Sequence, residues 1–226
     1  KVNDLTIVVQ DGVVIDTTTK AGEPGGVASG GNGNYGDLVV KAGTASGSGV
    51  TITTNENNAD GISVATNDGS ATITSFADIT TSFKDGDAIS AKTTAGDISI
   101  TSTGDLEVDG VYGHGIRALS DTGKITITHT GDIETYLGGG FGIRAITKGD
   151  IAITVDGDIS TSGIASAILA QSISGNVILD TDGAISTERE NSFGLQAVAK
   201  DGTVFVTHVG TITTLGEGSE AIDAEG

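Results

Sequence analysis

The sequence Gly115-Ile116-Arg117-Ala118-Leu119-Ser120-Asp121-Thr122-Gly123-Lys124-Ile125-Thr126-Ile127-Thr128-His129-Thr130-Gly131-Asp132-Ile133 decides how the whole chain is read, because close variants of it stand before and after it. Its opening is Gly or Ala, then Ile or Leu, then any residue, then Ala or Val. That opening recurs at Gly61, Ala88, Gly115, Gly142, Ala167, Gly194 and Ala221, in steps of 27, 27, 27, 25, 27 and 27 residues. A second landmark, Ile79, Leu106, Ile133, Ile159, Ile185 and Ile212, steps by 27, 27, 26, 26 and 27. A fixed period of this size marks a solenoid, in which one repeat is too small to bury its own apolar face and must stack on its neighbours.

Each repeat divides into three short segments, named here a, b and c. Segment a carries Ile62/Val64, Ile89/Ala91, Ile116/Ala118, Ile143/Ala145, Ile168/Ala170, Leu195/Ala197 and Ile222/Ala224 at alternate positions. Segment b carries Ala71/Ile73, Ile98/Ile100, Ile125/Ile127, Ile151/Ile153, Val177/Leu179 and Val204/Val206, and segment c carries Ile52 and then the second landmark. Apolar and polar residues alternate with period 2 and no window sustains a 3.6-residue period, so the segments read as half-buried strands. Three strands per repeat, bounded by Gly, Asp, Asn, Ser and Thr, give an all-β, right-handed, single-stranded parallel β-helix of about 27 residues per coil. About eight rungs at about 4.8 Å spacing make a rod on the order of 40 Å long. The small second residue of segment a fits a corner too narrow for two large side chains.

Before Gly61 the register is looser. Leu5 to Val9, Val13 to Asp16, Asp37 to Lys41 and Gly49 to Thr53 read as strands. Residues 17–35 read as an irregular loop insertion, although Gly26-Val27-Ala28 inside it resembles a degenerate a opening, and residues 42–48 read as a short Gly/Ser insertion. The whole chain, 1–226, reads as one β-helix domain.

The repeats Gly115-Ile116-Arg117-Ala118 with Gly123-Lys124-Ile125-Thr126-Ile127-Thr128 and Gly131-Asp132-Ile133 resemble the passenger region of type V autotransporters. So do Gly142-Ile143-Arg144-Ala145 with Gly149-Asp150-Ile151-Ala152-Ile153-Thr154 and Gly157-Asp158-Ile159. The resemblance covers residues 36–226 well and 1–35 loosely. It implies a secreted or surface-exposed bacterial rod, exported across the outer membrane, whose membrane contact runs only through a C-terminal barrel that this sequence lacks. It fixes no activity, since such rods carry adhesins, proteases and toxins alike. The sequence has no methionine, even at position 1, and no signal-peptide pattern, so the chain is expected to be a cut or processed piece of a longer passenger.

A formal charge of −19, from 30 acids against 11 bases, disfavours nucleic acid and anionic membranes as partners. With no cysteine there is no disulfide or thiolate metal site. No apolar run approaches the roughly 20 residues of a spanning helix.

Three constellations stand out. Asp78, Asp105, Asp132 and Asp158 fall at one position of successive rungs, with Glu107 and Glu134 two residues on. The column reads either as a ladder of oxygen ligands for calcium or as turn aspartates accepting backbone N–H bonds, and the second reading is preferred, with no metal site assigned. Thr72/Thr74, Ser99/Thr101 and Thr126/Thr128 make a flat outward hydroxyl array like that of β-helical ice-binding proteins. Ala152, Ile178 and Phe205 interrupt it, and threonine is in any case a good solvent-facing strand residue.

The third constellation is the c-to-a loop, which holds Phe83, Tyr112, His114, Tyr136, Phe141 and Phe193, six of the 11 Phe, Tyr and His residues. With Arg117 and Arg144 nearby, the set Tyr112, His114, Arg117, Tyr136, Phe141, Arg144 and Phe193 is the candidate partner-binding surface. The competing reading packs these aromatics over the corner of the coil. The expected partner is a host protein or glycan receptor, or another copy through self-association between cells, with no cofactor.

Catalysis is not expected, because the acids form a ladder, the bases lie elsewhere, and no Gly-x-Ser-x-Gly setting exists. His114, His129 and His208 are expected at the surface. The alternatives to a binding scaffold are a glycan-active β-helix enzyme and a purely structural stalk or biofilm matrix component.

Overall fold

Alternating β-branched residues in segments of three to six cannot bury an apolar face alone, so each strand pairs with its counterpart one coil on. A computed structural model describes residues 5–10, 12, 14–16, 27–30, 36–44 and 49–226. These residues form 24 strands in three eight-stranded parallel sheets, about seven turns of a solenoid with no helix. The b sheet runs from Leu5–Val9 to Val204–Val209, the c sheet from Val14–Asp16 to Ile212–Thr214, and the a sheet from Val27–Gly30 to Ile222–Glu225.

Register follows the repeat. Ile98 stands beside Ile125, Ile125 beside Ile151, and Ile151 beside Val177. Ile116, Ile143, Ile168 and Leu195 stack in the a sheet, as do Ala118, Ala145, Ala170 and Ala197. These columns form one continuous core, in which Ile125 is 0% exposed and Ile127 1%. In the last coil the same inward positions, Val204, Val206 and Ile212, are only half-buried.

Two early segments differ from the sequence reading. Val27–Gly30, inside the expected loop 17–35, is a strand paired with Ile62–Ala65, so the degenerate a opening founds the a sheet. The rest of 17–35 lies outside the described residues. Ala42, assigned to the insertion 42–48, is the buried end of strand Leu38–Ala42, and residues 45–48 lie outside the described set.

The three corners are closed by two kinds of polar column. Inside the coil, hydroxyls bond the main chain where it turns: Thr81 Oγ1 donates to Gly86 O at 3.1 Å, Thr135 Oγ1 to Gly140 O at 3.2 Å, and Thr187 Oγ1 to Ser192 O at 2.9 Å. Outside, carboxylates reach one coil on. Asp78 Oδ1 accepts from Asp105 N at 3.1 Å, Asp105 Oδ1 from Asp132 N at 3.0 Å, and Asp132 Oδ1 from Asp158 N at 2.9 Å. Asp158 Oδ1 then accepts from Ala184 N at 2.7 Å.

The turn-capping reading of the Asp column is therefore right in kind and wrong in partner, since each carboxylate serves the following coil. Corner amides have no strand partner, and an acceptor held at strand spacing satisfies them. Among the described residues nine aspartates, of 30 acids in the chain, make such bonds (Asp37, Asp60, Asp78, Asp87, Asp97, Asp105, Asp132, Asp150, Asp158), so much of the negative charge is architectural.

Candidate functional site

The c-to-a corner normally spends ten residues between its flanking apolar landmarks: Ile79 to Ile89, Leu106 to Ile116, Ile133 to Ile143 and Ile185 to Leu195. From Ile159 to Ile168 it spends nine. A groove of about 470 Å³ crosses that corner and three others in succession, lined by Tyr112, Tyr136, Leu137, Ile164 and Arg189 over a floor that includes Gly138, Gly139 and Gly163. Its apolar side chains are open to solvent: Tyr112 is 55% exposed, Leu137 54% and Ile164 61%.

The floor is glycine because the corners touch backbone to backbone. A Cβ at Gly163 would collide with the Gly138 carbonyl oxygen. At Gly139 the absent side chain lets the Tyr112 ring lie close over the floor, since a Cβ there would stand 3.3 Å from Tyr112 Cδ1 and 3.6 Å from Ile164 O. The Tyr136 hydroxyl donates to Glu134 Oε2, and Glu134 pushes the phenol up to about 12. Lys84 Nζ lies 5.9 Å from the centroid of the Tyr112 ring.

Tyr112 is held in the left-handed region, with φ 69°. The fourth residue before the a strand is Asn58, Asp85 and Asn191 in other coils, at φ 60°, 62° and 54°. Asn and Asp tolerate this conformation, whereas a bulky side chain there costs roughly 1–2 kcal/mol. The corner thus accepts strain to place an aromatic ring at the mouth of the groove, and strain of this kind gathers at functional sites.

The candidate set divides. Tyr112 and Tyr136 line the groove, while His114, Arg117, Phe141 and Arg144 form a second cluster at the start of the a strands, and Phe193 belongs to neither. In the cluster Asp87 N donates to Asp60 Oδ1 at 2.9 Å, His114 N to Asp87 Oδ1 at 2.9 Å, and Phe141 N to His114 Nδ1 at 3.0 Å. The last bond leaves the ring proton of a neutral His114 on Nε2. The rings of His114 and Phe141 meet edge to face at 5.5 Å, with Arg144 Cζ 5.9 Å from the Phe141 centroid. Arg117 Nη2 donates to Ser90 Oγ at 3.1 Å. Arg117 Nε lies 2.6 Å from Asp87 Oδ2 without the alignment of a hydrogen bond, so the contact is one of charge. Phe193 is half-buried, its N–H donating to Ser166 Oγ at 3.3 Å.

Burial governs the protonation of this cluster. Desolvation raises the Asp87 carboxyl to about 7 against the opposing pull of Arg117, and also raises Asp60. Desolvation, then Arg117 and Arg144, lowers His114 to about 3. Asp60, Asp87 and Ser90 were not singled out from the sequence, although Asp60, Asp87, His114 and Phe141 follow one another at the 27-residue step.

The histidine expectation is corrected. His129 is 0% exposed and His114 8%. His129 points inward from its strand, sharing a 2.8 Å hydrogen bond between Nδ1 and Ser102 Oγ, and burial lowers it to about 4. His208 repeats the motif with Thr181 at 2.9 Å. Among the described residues no group of three or more His, Cys, Asp or Glu side chains is placed to hold a metal ion. Comparison with protein-family models, with curated proteins and with solved structures gives no match.

Proposed function

We propose that the chain is a non-catalytic β-helical scaffold that binds a host protein or glycan receptor through the groove at its c-to-a corners. The observation that carries this reading is Tyr112: a strained, exposed aromatic stands over a glycine floor where other coils place Asn or Asp. Exposed aromatics on loops fixed to a rigid framework are typical anchors of recognition. The groove lining contains no carboxylate and no histidine, which favours binding over acid–base chemistry at this place.

The parallel solenoid agrees with the architecture that the resemblance to autotransporter passengers implies. We read the chain on that basis as part of a secreted or surface-exposed bacterial protein, and a barrel encoded downstream in the same reading frame would support that assignment.

The binding reading is tested with immobilised panels of glycans and receptor ectodomains. Tyr112→Ser with Tyr136→Ser, and separately Gly139→Leu, which pushes the Tyr112 ring off the floor, are expected to abolish binding while circular dichroism stays unchanged. Equal binding by these folded variants and the parent protein would overturn the groove as the site.

A further inference from the structure

We infer that the groove takes a carboxylated oligosaccharide, two or three sugar residues laid along the rod axis, with a carboxylate on Arg189 and ring faces on Tyr112 and Tyr136. The inference rests on the groove being a binding site and names its ligand class.

Arg189 is the only charged residue in the lining. Its Nε donates to Ser162 O at 3.2 Å, which fixes the plane of the guanidinium. Among the described residues no carboxylate lies within ion-pair distance of it, in a chain with 30 acids. Glu188 and Glu190 flank it in sequence but do not line the groove. An anchored guanidinium with its terminal nitrogens uncommitted is organised for two-point recognition of a carboxylate. The more distant acids are screened beyond about 8 Å at physiological salt, and of the nearer ones Glu134 is held on the Tyr136 hydroxyl, so the direct contact with Arg189 sets the preference.

Three amides of the lining are already committed. Tyr136 N is bonded to Val108 O, Ser162 N to Thr135 O, and Ile164 N to Gly138 O, so these corner amides are spent on neighbouring coils. An extended peptide adding itself as a strand needs free amides and carbonyls. What the groove lining offers is ring faces and one cation: the Tyr136 hydroxyl is tied to Glu134, and the Tyr112 ring rests over Gly139, where a Cβ would crowd it. A sugar ring has an apolar face for the tyrosines and hydroxyls that stay in water. From the Tyr112 corner to the Arg189 corner is three coil steps, about 14 Å, which suits two or three sugars. The volume of about 470 Å³ lies within the roughly 300–1,000 Å³ of small-ligand sites.

The test is calorimetric titration with trigalacturonate, sialyllactose and a glucuronate-containing trisaccharide, each against its methyl-esterified form. At least one acid is expected to bind, and its ester to bind about 10-fold more weakly or weaker still, the scale of one charge-assisted contact. Arg189→Gln is expected to remove the preference for the acid, and Tyr112→Ser to weaken acid and ester alike. Both side chains are exposed, and circular dichroism checks that the variants fold. Equal affinity for acid and ester, or a preference that survives in R189Q, overturns the carboxylate assignment and leaves the groove reading standing. Failure of all three acids to bind, or binding instead of a short peptide that is lost on amidating its C-terminus, overturns the sugar assignment. Acid binding that persists in Tyr112→Ser/Tyr136→Ser places the ligand elsewhere and overturns both readings.

Discussion

Replacing Tyr112 by Asn separates recognition from corner packing, because the two readings give opposite signs for stability. If Tyr112 is kept for a ligand, the folded protein bears its left-handed backbone, φ 69°, as a cost. Relieving it with the residue found at Asn58 and Asn191 returns roughly 1 kcal/mol. Against this stands the contact with Lys84 at 5.9 Å, near the limit of such interactions and worth about 0.5 kcal/mol at an exposed site. The ring is 55% exposed, so little buried area is lost. The net expectation is a gain of about 0.5 kcal/mol, rising to about 1 kcal/mol in a Lys84→Ala background where the ring has no cation to lose. In a protein of this size that raises Tm by about 1–4 °C. Thermal melts of the four proteins of the cycle, followed by circular dichroism, measure it, and ligand titration on the same samples is expected to show binding lost. A fall in Tm for Tyr112→Asn in the Lys84→Ala background would refute the reasoning and make Tyr112 a packing residue.

Four further expectations follow from the corners and the core. Asp132→Asn keeps the acceptor for Asp158 N and removes one of a row of like charges, so its Tm is expected to match or slightly exceed the parent's, whereas Asp132→Ala costs about 1 kcal/mol. Added calcium is expected to leave the melt of the parent protein unchanged, and a rise in Tm would show a ligand on the ladder.

Gly123→Ala is expected to cost about 2 kcal/mol or more, because its Cβ meets the Gly96 carbonyl, while Gly139→Ala, whose Cβ meets only the exposed Tyr112 ring at 3.3 Å, is expected to cost less. Urea midpoints of both variants check the contrast.

The buried histidine gives a pH signature. The folded value of His129, about 4, lies below its ordinary 6.5, so its contribution is present above 6.5 and is lost as pH falls toward 4. Asp87, raised from 3.8 to about 7, acts the other way: its contribution is full below 3.8 and lost as pH rises through 7. His129→Val puts at this position the residue that follows it in the column, Val155. It should remove a loss of about 1.4 kcal/mol per pH unit between about pH 6.5 and pH 4. Urea midpoints across that range test it, and an unchanged acid slope in His129→Val would place the ring outside the core.

The architecture was legible because one 27-residue step governs both landmarks, and stacked Ile and Ala columns follow from it directly. The polar columns were half legible. Asp78 to Asp158 showed as a row, but a strand register is needed to see that each carboxylate serves the next coil. His129 misled because histidine is commonly exposed, yet it occupies the inward position that Ser102 holds one coil earlier and Val155 one coil later. The shortened corner from Ile159 to Ile168 was legible in the landmark spacing, but the groove that crosses it is seen only when the side chains of four corners are placed together. Tyr112 was chosen for its ring. Its backbone stands out only when Asn58, Asp85 and Asn191 are set beside it.

The carboxylate row has an implication for how such a rod changes length. Each course of masonry presents to the next a set of acceptors in the places the next requires, so removing residues 89–115 would join Ala88 to Ile116 with like again resting on like. Span then becomes a quantity that genetic duplication or loss tunes in units of one course, about 4.8 Å, while the face that meets other molecules is redrawn by adding or dropping a single residue at a corner.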